Sequence, residues 1–262
     1  MRVLKILAAL VALNIALQLV FASLTERGEV YPVSHRGAAG LAPENTLAAV
    51  KAGVNSGAPY IEIDVRLTSD GVPVLMHDGT LDRTTDGAGR VNERTREYVR
   101  NLDAGSHFSP KFNGEPVPDL GAVLEYMKGT RSTLVIEVKS PGDYPDIGNV
   151  LADYLNKYGM EKRVVVISFD PGWIGEFRKL APGVPLGALY VYPFSIPPAS
   201  EVKYVSVFWP AYALDPSLAW RLRRGGYAVW AWNVGNYYVA RFLAWKGVEG
   251  IVLDRPGMMR GD

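Results

Sequence analysis

Residues 60–77, which read YIEIDVRLTSDGVPVLMH, decide the fold that this chain is expected to adopt. Residues 60–67 have the composition of a strand, and Thr68-Ser69-Asp70-Gly71 has that of a tight turn. Residues 72–77 then return as the second arm of a hairpin. The hairpin matters because it removes one strand from the set that can lie parallel in a sheet.

Strand-like and helix-like segments alternate on both sides of this hairpin. Strands are expected at 30–35, 60–67, 72–77, 133–139, 164–169, 186–191, 204–209, 228–232 and 250–253. Helices are expected at 44–56, 120–128, 147–158, 173–180, 216–224 and 237–245. Without the return arm, eight parallel strands remain, and the pattern predicts an α/β fold, a (β/α)8 TIM barrel. An open doubly wound sheet is the alternative, although no Gly-rich phosphate loop follows the first strand.

The size and composition fit one packed domain. The chain has 262 residues, and an α/β barrel needs about 250. Hydrophobic residues make up 48% and charged residues 21%, with a formal net charge of +1 and no basic block, so a nucleic-acid partner is not expected. The absence of cysteine excludes disulfides, thiolate zinc sites and a cysteine nucleophile.

The N-terminus is expected to be separate from the barrel. Arg2 and Lys5 precede an apolar run at residues 6–24, which is about long enough to cross a bilayer. We expect residues 1–28 to form a hydrophobic anchor or signal segment, and 29–262 a barrel with an irregular insertion at about 79–118. An uncleaved anchor is favoured over two alternatives, a cleaved signal peptide and a core helix. Cleavage of a signal peptide would make the protein secreted. Positive charge before the run predicts an extracytoplasmic catalytic domain.

Two pairs of charged residues lie on neighbouring strands. Glu62 and Asp64 are two residues apart and face one side of their strand, as do Glu137 and Lys139. Carboxylates that point into a barrel repel each other unless a cation compensates them. Three carboxylates suit one hard divalent cation, Mg²⁺ or Ca²⁺, better than zinc. The alternative is that both pairs face outward and form ion pairs with lysines on the helices.

His35 and His77 are candidates for moving protons. His35 ends the first strand, and the hairpin would bring His77 near Glu62. One histidine can take a proton from water while the other protonates a leaving alkoxide. Arg36 can bind a phosphate through two nitrogens, and Lys139 adds a point charge. A structural hydrogen bond for either histidine, and a surface ion pair for Arg36, remain the alternatives.

Other residues at the strand ends are more ambiguous. Glu44 is either an ordinary helix-start acid or a group that orients Arg36 or a substrate hydroxyl. Trp230 is either a core residue or, with Asn233 nearby, a contact for the substrate at the barrel mouth. His107 lies inside the insertion, where a structural or substrate-edge role is favoured over chemistry.

Taken in order, these motifs resemble the glycerophosphodiester phosphodiesterase family from about residue 30 to 256. The matching motifs are His35-Arg36-Gly37, Pro43-Glu44-Asn45-Thr46, Glu62-Ile63-Asp64-Val65, His77-Asp78, Gly105-Ser106-His107-Phe108, Pro118-Asp119-Leu120, Ile136-Glu137-Val138-Lys139, Ser168-Phe169, Val229-Trp230 with Asn233, and Asp254-Arg255-Pro256.

The resemblance implies a TIM barrel with a small insertion after the second strand. It implies one divalent cation on Glu62, Asp64 and Glu137, with His35 and His77 as the acid–base pair. It also implies Arg36 and Lys139 near the phosphate, and sn-glycerol 3-phosphate and an alcohol as products.

The chain departs from the family in three places. Residues 230–233 read Trp-Ala-Trp-Asn where the family usually has Trp-Thr-Val-Asn, Leu253 stands where Thr is common, and His107 where Trp is frequent. These departures leave the shape of the substrate pocket open.

Three other functions share these motifs or part of them. A lysophospholipase D-like enzyme would act on membrane lysophospholipids instead of soluble glycerophosphodiesters. A related enzyme would form a cyclic phosphate through a substrate hydroxyl. A barrel that only binds a lipid or a partner is expected to have lost a metal carboxylate or a histidine, and all of them are present here.

Overall fold

A computed structural model of the chain describes residues 2–26 and 28–260, so Met1, Arg27, Gly261 and Asp262 lie outside the described residues. Nine strands form one sheet. They are β1 Tyr31–Ser34, β2 Tyr60–Leu67, β3 Pro73–Leu75, β4 Thr133–Val138, β5 Val164–Ser168, β6 Leu186–Tyr190, β7 Tyr204–Phe208, β8 Ala228–Trp232 and β9 Gly250–Leu253.

Eight of these strands close into a barrel. The sheet order is β1-β9-β8-β7-β6-β5-β4-β2-β3, and β1 also pairs with β2 in parallel, which closes the ring. β3 pairs with β2 in the antiparallel sense, with Val65 opposite Leu75. The predicted TIM barrel and its hairpin are therefore confirmed, and the open doubly wound sheet is excluded by the closure.

Helices follow most of the parallel strands and pack around the barrel, but residues 191–203, between β6 and β7, contain none. The helices are α1 Arg2–Leu24, α2 Leu47–Asn55, α3 Arg96–Val99, α4 Leu120–Lys128, α5 Ile147–Tyr158, α6 Pro171–Leu180, α7 Pro210–Leu214, α8 Leu218–Arg224 and α9 Tyr237–Trp245. Several begin at a side-chain cap: Thr46 accepts from Ala49 N, and Asp119 accepts from Ala122 N. Such caps satisfy backbone N–H groups that have no partner inside the helix. The short α3 and α7 were not expected.

The alternation of side chains along β2 places the site. Ile61, Ile63 and Val65 pack outward among the residues of the surrounding helices. Glu62 and Asp64 lie between them in sequence, so their side chains turn to the inside of the barrel. Deeper in the barrel, Trp230 packs against aromatic residues at the amino ends of the strands. The cavity at the site therefore opens toward the carboxyl ends.

The insertion is ordered and packs on the barrel through a small apolar cluster. Leu81, Val91 and Val99 are fully buried there, next to Val74 and Met76 at the hairpin. Because it follows the hairpin, the insertion stands beside the carboxyl ends of the strands.

α1 meets the barrel only through its last turns. Gln18 and Ala22 are buried, whereas Val3, Leu10 and most of the other apolar residues of the helix are exposed. Within the described residues, α1 is the one helix long and apolar enough to cross a membrane, with a mean hydropathy of 2.3. The predicted N-terminal hydrophobic helix is therefore present.

Candidate active site

A cavity of about 240 Å³ opens at the carboxyl ends of the strands. It is lined by charged and titratable residues in or just after β1, β2, β3 and β4, and by aromatic residues in or just after β5 and β8. The charged and titratable lining residues are His35, Arg36, Glu62, His77, Glu137 and Lys139. The structure thus brings together residues that are up to about 100 positions apart in the sequence, as expected where parallel strands end at one edge.

Three carboxylates form the centre of the site. One oxygen from each of Glu62, Asp64 and Glu137 lies within 4.8 Å of the others, and all three residues are buried. The strand register explains this, because β2 and β4 pair in parallel with Asp64 opposite Glu137. The alternative in which these residues face outward is therefore excluded.

Glu62 is the least compensated of the three. Its Oε2 accepts a hydrogen bond of 2.7 Å from Arg36 N, but its Oε1 is buried without a hydrogen-bond partner among residues 2–26 and 28–260. Burial, with Asp64 and Glu137 nearby, raises the pKa of Glu62 well above its usual range. Burial and Asp64 likewise raise the pKa of Glu137 to about 7. A buried carboxylate oxygen with no partner is the kind of atom that a cation would satisfy.

Two positively charged side chains lie beside Asp64. Lys139 Nζ is 3.1 Å from Asp64 Oδ1 and 2.6 Å from Glu137 Oε1, and Arg36 Nε is 3.5 Å from Asp64 Oδ2. Burial alone would raise the pKa of Asp64, but Lys139 and Arg36, with smaller contributions from His77 and Asn45, lower it to about 2. The pKa of Asp64 is therefore lowered while those of Glu62 and Glu137 are raised.

Asn45 fixes the position of Asp64. Its Nδ2 donates to Asp64 Oδ2 at 2.7 Å, and its Oδ1 accepts from Asp64 N at 3.0 Å. The backbone of Asn45 has a φ of 57°, in the left-handed region that asparagine tolerates better than most residues. The neighbouring Thr46 caps α2, whereas Asn45 belongs to the site.

Each histidine is held by a carboxylate. His35 Nδ1 lies 2.6 Å from Asp254 Oδ1, and His77 Nδ1 lies 2.6 Å from Asp78 Oδ1. An ionised carboxylate at Nδ1 favours the tautomer with a proton there, which leaves Nε2 of each ring free to exchange protons. Burial lowers the pKa of His77, although Asp64 opposes that shift. Asp78 and Asp254 were not among the predicted site residues, although both follow strand ends in the motifs.

Arg36 is held in place by Glu44. Arg36 Nη1 donates to Glu44 Oε1 at 2.7 Å, and Arg83 from the insertion donates to both oxygens of Glu44. Burial works to raise the pKa of Glu44, but the two arginines lower it. Of the two interpretations of Glu44, the contacts favour the one in which it orients Arg36. Arg83 also donates to Asp78. Arg83 was not predicted as a site residue from the sequence, because an irregular segment has no pattern that indicates where its side chains will lie.

The aromatic residues differ in depth. Trp230 is buried, and its Nε1 donates to Tyr31 Oη at 3.0 Å, so its ring forms the floor of the cavity. Trp232 lies higher, where it packs edge-on against Phe169. Asn233 follows it and lines the mouth. A contact of Trp230 or Asn233 with a substrate stays a prediction. His107 is exposed in the insertion and does not line this cavity.

With this geometry in place, the comparisons with known proteins identify the family. The model of the glycerophosphoryl diester phosphodiesterase family matches residues 35–258. The chain belongs to this family. The matched range contains the whole charged site, and the enzyme is therefore a phosphoric diester hydrolase.

Other members of the glycerophosphoryl diester phosphodiesterase family cover nearly the same length. A glycerophosphodiester phosphodiesterase of Caldanaerobacter subterraneus is 36% identical over 86% of this chain and 93% of its own. The crystal structure of a glycerophosphodiester phosphodiesterase from Agrobacterium tumefaciens is 31% identical, with a TM-score of 0.74 over 89% of this chain and all of that one. An Oleispira antarctica phosphodiesterase, solved with the product sn-glycerol-3-phosphate, is 25% identical, with a TM-score of 0.80 over 90% of this chain and 96% of its own.

Proposed function

We propose that the enzyme hydrolyses glycerophosphodiesters to sn-glycerol 3-phosphate and an alcohol, in a metal-dependent reaction with His35 and His77 as acid and base. The observation that carries the proposal is the buried Oε1 of Glu62, which has no hydrogen-bond partner in the described part of the chain and lies in a three-carboxylate cluster. That cluster shares one cavity with both histidines. The product complex of the Oleispira antarctica relative supports the choice of sn-glycerol 3-phosphate as product.

Glu62, Asp64 and Glu137 would hold one divalent cation, Mg²⁺ or Ca²⁺. Oxygen ligands alone suit these hard ions, and the buried negative charge exceeds what Lys139 and Arg36 neutralise. When bound, the cation supplies charge that polarises the phosphoryl oxygen and offsets the negative charge developing on it.

The histidines would move the protons of the reaction. One Nε2 accepts a proton from the attacking water as its oxygen bonds to phosphorus. The bond from phosphorus to the alcohol oxygen breaks, and the Nε2 of the other histidine gives its proton to that oxygen. Asp254 and Asp78 keep the two rings oriented through Nδ1.

The phosphate would be bound by the cations of the site. Arg36 presents a planar donor group that Glu44 holds in position. Lys139 adds charge from β4. Asn233 at the mouth and Trp230 at the floor would contact the glycerol or alcohol part of the diester.

We also propose that residues 1–28 attach the enzyme to a membrane with the barrel, residues 29–262, outside the cytoplasm. The exposed apolar surface of α1 supports an anchor, and Arg2 and Lys5 at its start favour this orientation. Cleavage of this segment would instead release a secreted enzyme. The net charge of +1 gives no support to a nucleic-acid partner.

The test is hydrolysis of glycerophosphocholine by the full chain in detergent, with Mg²⁺, Ca²⁺ or a chelator. His35→Ala and His77→Ala are each expected to reduce kcat by at least about 100-fold, as for the loss of a general acid or base. His107→Ala is the matched control, because this third histidine lies outside the cavity, and it is expected to keep full activity.

Chelator-sensitive release of glycerol 3-phosphate that depends on both cavity histidines would support the proposal. Activity that survives the chelator would contradict the role of the cation. Equal activity of the His77→Ala and His107→Ala variants would contradict the acid–base assignment.

A further inference from the structure

The direction of α1 relative to the barrel is set by its last turns. Phe21 packs on Trp220 of α8, with ring centroids 5.4 Å apart. Four residues later, Thr25 packs against Gly247, just beyond the end of α9. Both α8 and α9 run from the carboxyl ends of the strands toward the amino ends, since each precedes a strand of the barrel. α1 therefore descends in the same direction, and its earlier residues lie on the side of the catalytic mouth.

A polar contact holds the helix at this point. Gln18 Nε2 donates to Ala213 O at 2.9 Å and to Tyr212 O at 3.3 Å, and both acceptors belong to α7. Lys246 Nζ donates to Gln18 Oε1 and, at 2.5 Å, to Pro216 O. α7 directly follows the carboxyl end of β7, whereas Lys246 follows α9, so Gln18 lies along the side of the barrel between these two levels.

The remainder of α1 continues past Gln18 on the side of the mouth. From Gln18 to Arg2 the helix continues for about 24 Å at about 1.5 Å per residue. The hydrocarbon core of a bilayer is about 30 Å thick, which is more than this length, so a membrane that α1 crosses would extend to the level of Gln18. Arg2 and Lys5 then stand at the far side of the span, where positive charge is favoured on the cytoplasmic face.

Exposed apolar side chains surround the same end of the barrel. Consider the large apolar residues outside α1 and the insertion that are exposed in the described part of the chain. All of them except Leu180 lie in segments that follow the carboxyl ends of strands. Six of them form what we call the apolar rim: Leu41, Phe169, Val191, Phe194, Leu214 and Tyr238. Phe194 is 92% exposed and Leu214 is 78% exposed. Exposed apolar groups concentrated on one face of a soluble domain mark an interaction surface.

We propose that the catalytic mouth lies against the outer surface of the lipid bilayer, held there by α1 and the apolar rim. Besides the soluble diesters that reach the site from water, the bilayer then presents to it lysophospholipids whose acyl chain stays in the membrane. This inference rests on the proposed phosphodiesterase function. It assigns to that site a lipid surface as its partner, because the span and the rim point to the same side of the barrel.

The orientation is tested first without any reference to activity. The chain contains no cysteine, so Phe194→Cys and Leu180→Cys each provide one site for an environment-sensitive fluorophore in the full chain. The protein is reconstituted in phosphatidylcholine vesicles with and without phospholipids brominated in the acyl chains near the headgroup. We expect quenching of the probe at 194 and none at 180, which is a matched exposed apolar position at the opposite end of the barrel. Equal quenching at both positions, or quenching only at 180, would overturn the proposal.

The second test separates this inference from the proposed function. Phe194→Ser and Leu214→Ser change exposed side chains outside the cavity, and Leu180→Ser is the control. With lysophosphatidylcholine in vesicles, we expect the two rim variants to lose activity by about tenfold, as burial of one such side chain would give. Hydrolysis of soluble glycerophosphocholine is expected to be unchanged in all three variants.

The outcomes are distinct. Rim variants that turn over the vesicle lysolipid as fast as the unaltered enzyme would overturn the membrane-facing mouth while leaving the phosphodiesterase assignment standing. An enzyme that hydrolyses neither substrate, with a probe at 194 that is still quenched, would instead overturn the proposed function.

Discussion

Replacing Glu62 by glutamine is expected to make the metal-free protein more stable. The amide keeps an oxygen that can accept from Arg36 N, but it removes a buried charge whose Oε1 has no hydrogen-bond partner in the described part of the chain. Burial and the neighbouring carboxylates raise the pKa of Glu62 well above its usual value, so the charged form destabilises the metal-free fold. A buried polar atom without a hydrogen-bond partner costs about 1–3 kcal/mol, and relief of that cost corresponds to a gain of about 2–12 °C in Tm for a chain of this size.

A divalent cation is expected to stabilise the unaltered enzyme more than the Glu62→Gln variant. At a concentration 100 times its Kd, a ligand that binds only the folded state adds about 2.7 kcal/mol. This corresponds to a rise in Tm of about 5–11 °C for the unaltered enzyme. Glu62→Gln removes one charged ligand from the cluster, so the same concentration of Mg²⁺ or Ca²⁺ should raise its Tm much less.

The pH dependence of the metal-free protein follows from Glu137. Its pKa is raised from 4.5 to about 7 by burial and by Asp64. A raised carboxyl pKa stabilises the fold below pH 4.5, and that contribution is lost as the pH rises through about 7. The metal-free enzyme should therefore be less stable at pH 8 than at pH 5.5. The pKa of Asp64 is lowered from 3.8 to about 2, so Asp64 changes the stability only at a pH below the range compared here.

The assay is thermal unfolding followed by circular dichroism, in detergent, with chelator or with added cation. Glu249→Gln serves as the control, since Glu249 pairs with Arg223 beside the amino ends of the strands. This variant should lose stability and keep the full response to the cation. A metal-free Glu62→Gln protein with a lower Tm than the unaltered enzyme, or an equal response of both to the cation, would refute the reasoning.

Three further predictions concern the residues that support the site. Asp254→Asn should lower kcat on glycerophosphocholine by about 10- to 100-fold with less change in KM, because His35 loses the carboxylate at Nδ1; an unchanged kcat would contradict this. Asn45→Gly permits the same backbone conformation but removes two hydrogen bonds to Asp64. Urea denaturation should show a loss of about 1–3 kcal/mol, and no loss would mean that these bonds contribute nothing. Trp230→Phe should lower stability by about 1 kcal/mol through the lost indole hydrogen bond. It should also raise KM, because the indole forms part of the cavity floor; an unchanged KM would show that this residue does not contact the substrate.

Local patterns explain why most of the barrel could be predicted. The expected boundaries of Tyr60–Leu67, Ile147–Tyr158, Tyr237–Trp245 and Gly250–Leu253 agree with the observed elements. Each of these segments has an apolar periodicity or a turn that depends only on neighbours in sequence. The short α3 and α7 lack such a pattern, and they form because the barrel and the insertion pack around them.

The positions of the site carboxylates could also be predicted from the sequence. Alternation along a strand is a local property, so residues two apart share a face wherever that strand lies. This places Glu62 with Asp64, and Glu137 with Lys139. The arrangement of parallel strands in a barrel then brings both pairs to one end.

What sequence alone determined is therefore the order and type of the elements and the identity of the charged residues at the strand ends. The tertiary structure decided which partners they have. His35 meets Asp254 across 219 positions, and Gln18 meets Lys246 across 228. Contacts of this kind depend on the closure of the barrel and the path of α1. No local periodicity in the sequence predicts the barrel closure or the path of α1, because the atoms in these contacts become neighbours only after the whole chain has folded.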